Sequence, residues 1–105
     1  MLELSRQAVF IDRDGTLGGT AGMLLKAAEE NNLDLGKCFV IGDRWTDMVA
    51  AKEAGCKKVL VKTGAGAKEL EKYNNNEYFG IWKEAYPDYI ATDFNEAVTW
   101  ILGGG

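Results

Sequence analysis

Ala8-Val9-Phe10-Ile11-Asp12-Arg13-Asp14-Gly15-Thr16 joins an apolar run directly to two carboxylates spaced i, i+2. Such a run suits a strand buried on both faces, the kind found inside a parallel sheet. Side chains alternate along an extended chain, so Asp12 and Asp14 point into one crevice if extension persists through Arg13. Gly15 permits a sharp turn, and Thr16 offers a hydroxyl and a backbone N–H, a combination that suits a metal ion and a phosphate. The same residues also build ordinary turns. The pentapeptide Asp12 to Thr16 alone leaves both readings open.

The pattern recurs downstream. Cys38-Phe39-Val40-Ile41 stops at Gly42-Asp43-Arg44-Trp45-Thr46-Asp47. A helix is expected from about Thr46 to Ala54, with Thr46 as N-cap, Asp47 in the first turn and Gly55 as the stop. Val59-Leu60-Val61 runs into Lys62-Thr63-Gly64-Ala65-Gly66, whose glycines either leave room for a ligand or make a plain strand-to-helix turn. Asp88 to Ala91, introduced by Pro87, reads as a fourth strand. Helices are expected from Ala21–Met23 to about Asn32, burying Met23, Leu24, Ala27 and Ala28, and from Ala67 to Tyr73. A last helix is capped by Asp93 and Glu96 in a capping-box pair and buries Ala97, Val98, Ile101 and Leu102. Tyr78, Phe79, Ile81, Trp82 and Tyr86 are expected as a hydrophobic stripe covering the sheet. Alternating strands and helices predict an α/β fold, a Rossmann-like three-layer core with a parallel sheet of about four strands. Ligands bind such sheets at the carboxyl ends of the strands, where all three loops fall.

Composition narrows the function. The 105 residues fit a single domain spanning 1–105, and 47% hydrophobic content supplies one core. A formal charge of −4 and no Lys/Arg stripe exclude nucleic acid as a partner. No apolar stretch reaches the roughly 20 residues of a membrane span, and Met1-Leu2-Glu3-Leu4 does not open a secretory signal, so no membrane partner and a cytoplasmic location are expected. Cys38 and Cys56 lack the paired spacing of a zinc site and read as reduced thiols in or near the core. Histidine is absent, which leaves carboxylates, Lys, Tyr, Cys or metal-bound water for acid/base chemistry near neutral pH. Arg13 and Arg44 are candidate phosphate contacts, or ion-pair partners of the neighbouring acids. Trp45 either stacks on a substrate or covers the start of its helix.

Phe10 to Thr16 and Phe39 to Met48, followed by Ala50-Ala51-Lys52-Glu53-Ala54-Gly55, together resemble the haloacid dehalogenase-like (HAD) phosphatases. The likeness is to the histidinol-phosphate and heptose-bisphosphate phosphatase branch, and extends through Val59–Gly66 and Asp88–Leu102. The resemblance implies a HAD core without a cap domain, with Asp12 as nucleophile forming an aspartyl-phosphate and Asp14 as general acid/base. It implies Mg²⁺ held by Asp12, the backbone carbonyl of Asp14, Asp43 and Asp47, with a small phosphorylated metabolite as substrate. Thr16, Arg13 and Arg44 are the candidate phosphate contacts.

The departures from that pattern carry their own expectations. Ala21-Gly22-Met23-Leu24-Leu25 resembles the helix that follows the family's third motif, so the strand bearing the second motif's Ser/Thr is missing. Gly18 stands where the family's phosphate-binding Lys would be, and Lys26 lies further along a helix. Losing one preorganised donor costs on the order of 10²–10³ in rate, so weak turnover is expected, the alternative being a non-catalytic HAD-fold module that keeps the metal site. Strands missing beside Ala8–Ile11 would leave that edge uncovered, which predicts a homodimer through it.

Overall fold

The computed structural model describes residues 7–12 and 21–105. Four parallel strands are β1 (Val9–Asp12), β2 (Phe39–Gly42), β3 (Lys57–Val61) and β4 (Tyr89–Ala91), in the order β1-β2-β3-β4. Between and after them run α1 (Ala21–Asn31), α2 (Trp45–Ala54), α3 (Gly66–Asn74), the single turn α4 (Ile81–Glu84) and α5 (Phe94–Leu102). The expected α/β architecture with a short parallel sheet is therefore present. The register aligns Asp12 with Gly42, and Gly42 with Leu60, so strand ends converge along one edge.

Alternation sorts the strand residues onto two faces. On the first, Ala8, Phe10, Cys38 and Val40 pack with Leu24 of α1 and Ala50, Ala51 and Ala54 of α2. On the second, Phe39, Ile41, Val59, Val61 and Ala91 pack with Ala97, Val98 and Ile101 of α5. A sequential strand order with α1 and α2 on one face is what right-handed crossovers impose. Among the described residues only α5 covers the opposite face, reaching β2, β3 and β4. Val9 and Ile11 of β1, on that face, stay 40% exposed. β2 is buried at every residue, as its apolar run predicts.

Helix ends follow local chemistry. α1 ends at Asn32, whose φ of 53° is left-handed, with the Leu33 N–H reaching back to the Ala28 carbonyl at 2.9 Å. Gly55, at φ 82°, closes α2 in the same way. The start of α2 corrects the expectation: the helix begins at Trp45, Arg44 takes the cap position, and Thr46 lies inside the first turn. The cap is made backwards, by Asp47 Oδ2 accepting the Arg44 N–H at 3.3 Å. At α5, Asp93 accepts the Glu96 N–H at 2.9 Å as expected. Glu96 returns the bond one residue upstream, to the N–H and hydroxyl of Thr92.

The aromatic segment also departs from expectation. Leu60 on β3 is already covered by Trp45, Met48 and Val49 of α2, so the aromatics pack on Trp45 rather than on the sheet. Tyr73 and Tyr78 both stack on its fully buried indole, at 5.3 and 5.2 Å, Tyr86 meets it edge-on, and its Nε1–H donates to the Trp82 carbonyl. Phe79 is left 75% exposed.

Both cysteines are buried free thiols, as expected. Burial pushes the Cys56 thiol up to about 11 from 9.0, and Cys38 is raised for the same reason. The unfolded chain gives up the Cys56 proton near pH 9 while the folded chain holds it to about pH 11. The unfolded state therefore binds fewer protons across that window, and stability falls as pH rises through it. We expect a loss on the order of 2 kcal/mol by urea denaturation across the window, shallower in Cys56→Ala; an equal slope in the variant refutes the assignment.

Candidate active site

Two glycines decide how the acids sit. A Cβ on Gly42 would lie 2.3 Å from Asp47 Oδ2 and 2.8 Å from Asp47 Cβ, so the buried carboxylate of Asp47 rests directly on the end of β2. No larger residue could stand there without moving the first turn of α2. Gly42 is the register partner of Asp12, which brings the Asp12 backbone and the Asp47 carboxylate to neighbouring strand ends.

Asp43 faces the next loop. Its Oδ2 accepts the Ala65 N–H at 3.0 Å, and a Cβ on Gly64, already at φ 65°, would fall 2.2 Å from the same oxygen. A Cβ on Gly66 would lie 1.7 Å from the Val61 carbonyl oxygen. Both glycines are thus required by close approaches within the protein, to a carboxylate and to a carbonyl, and Gly64 also lines the adjoining cleft. Beside Asp43 opens a cleft of about 230 Å³ at the carboxyl ends of β1, β2 and β3, lined by Ile11, Ile41, Val61, Thr63 and Phe94.

The start of α2 is held from outside as well. Glu69 of α3 accepts the Trp45 N–H through Oε1 at 3.1 Å and the Tyr78 hydroxyl through Oε2. Burial and the Glu69 carboxylate together push the Tyr78 phenol well above its ordinary range. Trp45 accordingly covers its helix and is unavailable to stack on a substrate.

Asp43, directly after β2, and Asp47, in the first turn of α2, supply carboxylate oxygens near the end of that strand, a donor type that suits a hard divalent cation such as Mg²⁺. Among the described residues no group of three or more acidic, Cys or His side chains gathers around one point. The further donors that the sequence names, the side chain of Asp12 and residue Asp14, lie outside the described set, as do Arg13 and Thr16. Arg44 is exposed at the cap of α2. Lys26 is exposed on α1.

Comparison with known proteins agrees with this architecture. Residues 20–97 match the model of the HAD-hydrolase-like family. The chain belongs to the HAD-like hydrolases. It is 43% identical over 81 residues to the D-glycero-D-manno-heptose-1,7-bisphosphate 7-phosphatase of Thermosynechococcus vestitus, covering 76% of this chain and 37% of that protein. The corresponding phosphatase of Chlorobaculum tepidum is 35% identical over 72 residues, covering 68% of this chain and 32% of its own length. Among solved structures, a haloacid dehalogenase-like hydrolase from Streptococcus pneumoniae superposes with a TM-score of 0.59 at 26% identity, covering 77% of this chain and 33% of that one. A predicted phosphatase from Clostridium acetobutylicum superposes at 0.60 and 25% identity, over 79% and 33%. The chain thus spans about a third of the length of the relatives it matches. No helix of the described residues is long and apolar enough to cross a membrane.

Sequence reasoning passed over Glu69, Thr63 and Phe94. Glu69 sits in a mixed-charge run that reads as a solvated face, and nothing local marks it as reaching Trp45, 24 residues away. Thr63 and Phe94 each follow a strand end, and that position was the available signal.

The close approach at Gly42 is testable. Gly42→Ala drives a methyl into the Asp47 side chain, and overpacking of this kind costs about 1–3 kcal/mol. Gly22→Ala on α1, where a Cβ meets nothing within 4 Å, serves as the control and should be neutral or stabilising. Equal urea midpoints for the two variants would show that Asp47 does not bear on Gly42.

Proposed function

We propose that the chain acts as a Mg²⁺-dependent phosphomonoester hydrolase of low turnover, working through an aspartyl-phosphate on Asp12. The observation that carries this reading is the Asp47 carboxylate seated on Gly42, the register partner of Asp12. The arrangement supports a nucleophile and a cation site side by side.

In this reading one carboxylate oxygen of Asp12 attacks phosphorus while the ester P–O bond breaks. Asp14 gives its proton to the departing alkoxide. Asp14 then takes a proton from water, the hydroxide attacks phosphorus, and the bond to Asp12 breaks to release inorganic phosphate. Asp12, Asp14, Asp43 and Asp47 would hold the Mg²⁺, with Asp14 contributing through its backbone carbonyl. When bound, the cation offsets the repulsion between carboxylate and phosphate. Thr16, Arg13 and Arg44 are the phosphate contacts of this reading. The names of the relatives point to a sugar phosphate as the substrate class. Two buried free thiols accord with a reducing, cytoplasmic setting.

A second reading, a module that keeps the metal site without turnover, draws on the sheet edge. β1 is terminal among the described strands, and Val9 and Ile11 are 40% exposed. Across that edge a second copy of the chain would pair, giving a homodimer.

Hydrolysis of p-nitrophenyl phosphate decides between the two. The enzyme reading expects turnover that requires Mg²⁺, is abolished in Asp12→Asn and is reduced at least tenfold at limiting Mg²⁺ in Asp47→Asn. Equal background rates in wild type and Asp12→Asn would leave the module. Light scattering over a dilution series tests the edge: the dimer reading expects a mass that halves on dilution, and a constant monomer mass at all concentrations overturns it.

A further inference from the structure

The two cysteines serve neither the acids nor the cleft, yet the fold sets them face to face. Phe39 on β2 and Lys57 on β3 are paired in parallel register, so the residues immediately before them, Cys38 and Cys56, lie opposite one another. The Lys57 N–H donates to the Cys38 carbonyl at 2.9 Å, tying the two chains at that point. Facing positions on neighbouring strands lie about 4.8 Å apart, inside the roughly 4.4–6.8 Å Cα separation that a disulfide spans. Both side chains point to the same face and join one cluster with Leu24, Val40, Ala50, Ala51 and Ala54. Cys38 is fully buried and its thiol donates to the Asp34 carbonyl at 3.2 Å, while Cys56, after the left-handed turn at Gly55, keeps 5% exposure.

We propose that Cys38 and Cys56 form a dithiol that closes to a disulfide when the chain meets a small disulfide of the glutathione type. The Cys56 thiolate attacks one sulfur of the oxidant, the oxidant's S–S bond breaks, and one thiol leaves. The Cys38 thiolate then attacks the mixed disulfide at the Cys56 sulfur, forming Cys38–Cys56 and releasing the second thiol. Two thiols of the protein are oxidised, one small disulfide is reduced to two thiols, and both protons end on the products. Burial keeps both thiols protonated, so exchange is slow and the pair rests reduced. The closed ring runs from residue 38 to residue 56 and contains all of β2 and α2, the unit that carries Asp43 and Asp47. Its bond lies at the end of that unit away from both acids. Closure therefore locks the unit without touching the site, and the proposal stands independently of the phosphatase reading.

The test is an equilibrium titration of the full chain in glutathione buffers, started both from reduced protein and from protein oxidised in urea and returned to buffer. Mass spectrometry and non-reducing peptide mapping read the products. The expected result is one transition shared by both directions, to a species lighter by two hydrogen atoms with the Cys38 and Cys56 peptides linked. Its urea midpoint should rise by roughly 1 M or more, from the entropy removed from the unfolded chain. Cys38→Ala/Cys56→Ala should show no transition. Glutathione adducts without the linked species, disulfide-linked dimers, or an oxidised form with a lower urea midpoint than the reduced form would each overturn the proposal.

Discussion

The seating of the Asp47 carboxylate on the bare backbone of Gly42 is the contact on which the other arrangements depend. A side chain of any size at position 42 would meet the Cβ, Cγ and Oδ2 of Asp47 at under 3 Å, and the first turn of α2 would have to lift from the sheet. Because Gly42 is bare, the helix can dock with its acid inward and spend one carboxylate oxygen on the Arg44 N–H. The turn is then held from two further directions. Glu69 reaches in from α3 to the Trp45 N–H, and Asp43, on the residue after Gly42, is received by Gly64 and the Ala65 N–H. Three elements therefore meet at the end of one strand. Each contact is between a carboxylate and a backbone N–H, the charge-assisted type of hydrogen bond that is strong when partly buried.

The layers on either side are unequal, and the inequality has a cause in strand order. A sheet wound β1 to β4 in sequence sends each connecting helix to the same face, so the other face is covered only by the helix that follows the last strand. Among the described residues, α5 reaches β4, β3 and β2, while Val9 and Ile11 of β1 stay 40% exposed. The first strand, which bears the most chemically pointed motif of the chain, is thus the least protected strand of the sheet.

Most of the fold was legible because its strands obey simple patterns. The apolar runs ending at Ile41, Val61 and Ala91 and the inward faces of α1, at Leu24 and Ala28, and of α5, at Ala97, Val98 and Ile101, follow from periodicity, whereas Leu102, expected in the α5 stripe, is 82% exposed at the end of its helix; Asp43 and Asp47 follow from their place at a strand end. What escaped was non-local or reciprocal. The start of α2 was misplaced because Thr46 is a good capping residue in isolation, whereas the cap is made by an acid three residues inside the helix reaching back to Arg44. The aromatic segment reads as a stripe on the sheet because Tyr and Trp favour burial, yet only Tyr78 is half-buried while Phe79, Ile81, Trp82 and Tyr86 stay exposed, and the partner that Tyr78 and Tyr86 meet is not marked in the sequence. That partner is Trp45, which had already taken the surface over Leu60. Glu69 was invisible because its role exists only once α3 is folded against α2. Asp12 to Thr16 stands apart: the resemblance assigns these residues a role, and only the backbone of Asp12 lies within the described set.

The same geometry separates two properties of a phosphoryl-transfer site that are often treated together. The positions of Asp43 and Asp47 are set by glycines and backbone N–H groups, so the proposed cation site would be built by the fold itself. Preorganisation of this kind favours binding because no side chain has to be ordered at the moment of contact. Stabilising a phosphorane-like transition state needs more: donors aimed at the equatorial oxygens, which carry the developing charge. The described residues around the cleft supply the Asp43 carboxylate, a threonine and an apolar lining of Ile11, Ile41, Val61 and Phe94, while Lys26 and Arg44 stand exposed on α1 and at the cap of α2. In the proposed reading, cation binding and turnover rest on different parts of the chain. The first depends on Gly42, Gly64 and the turns they permit, and the second on whatever places positive charge over the phosphate.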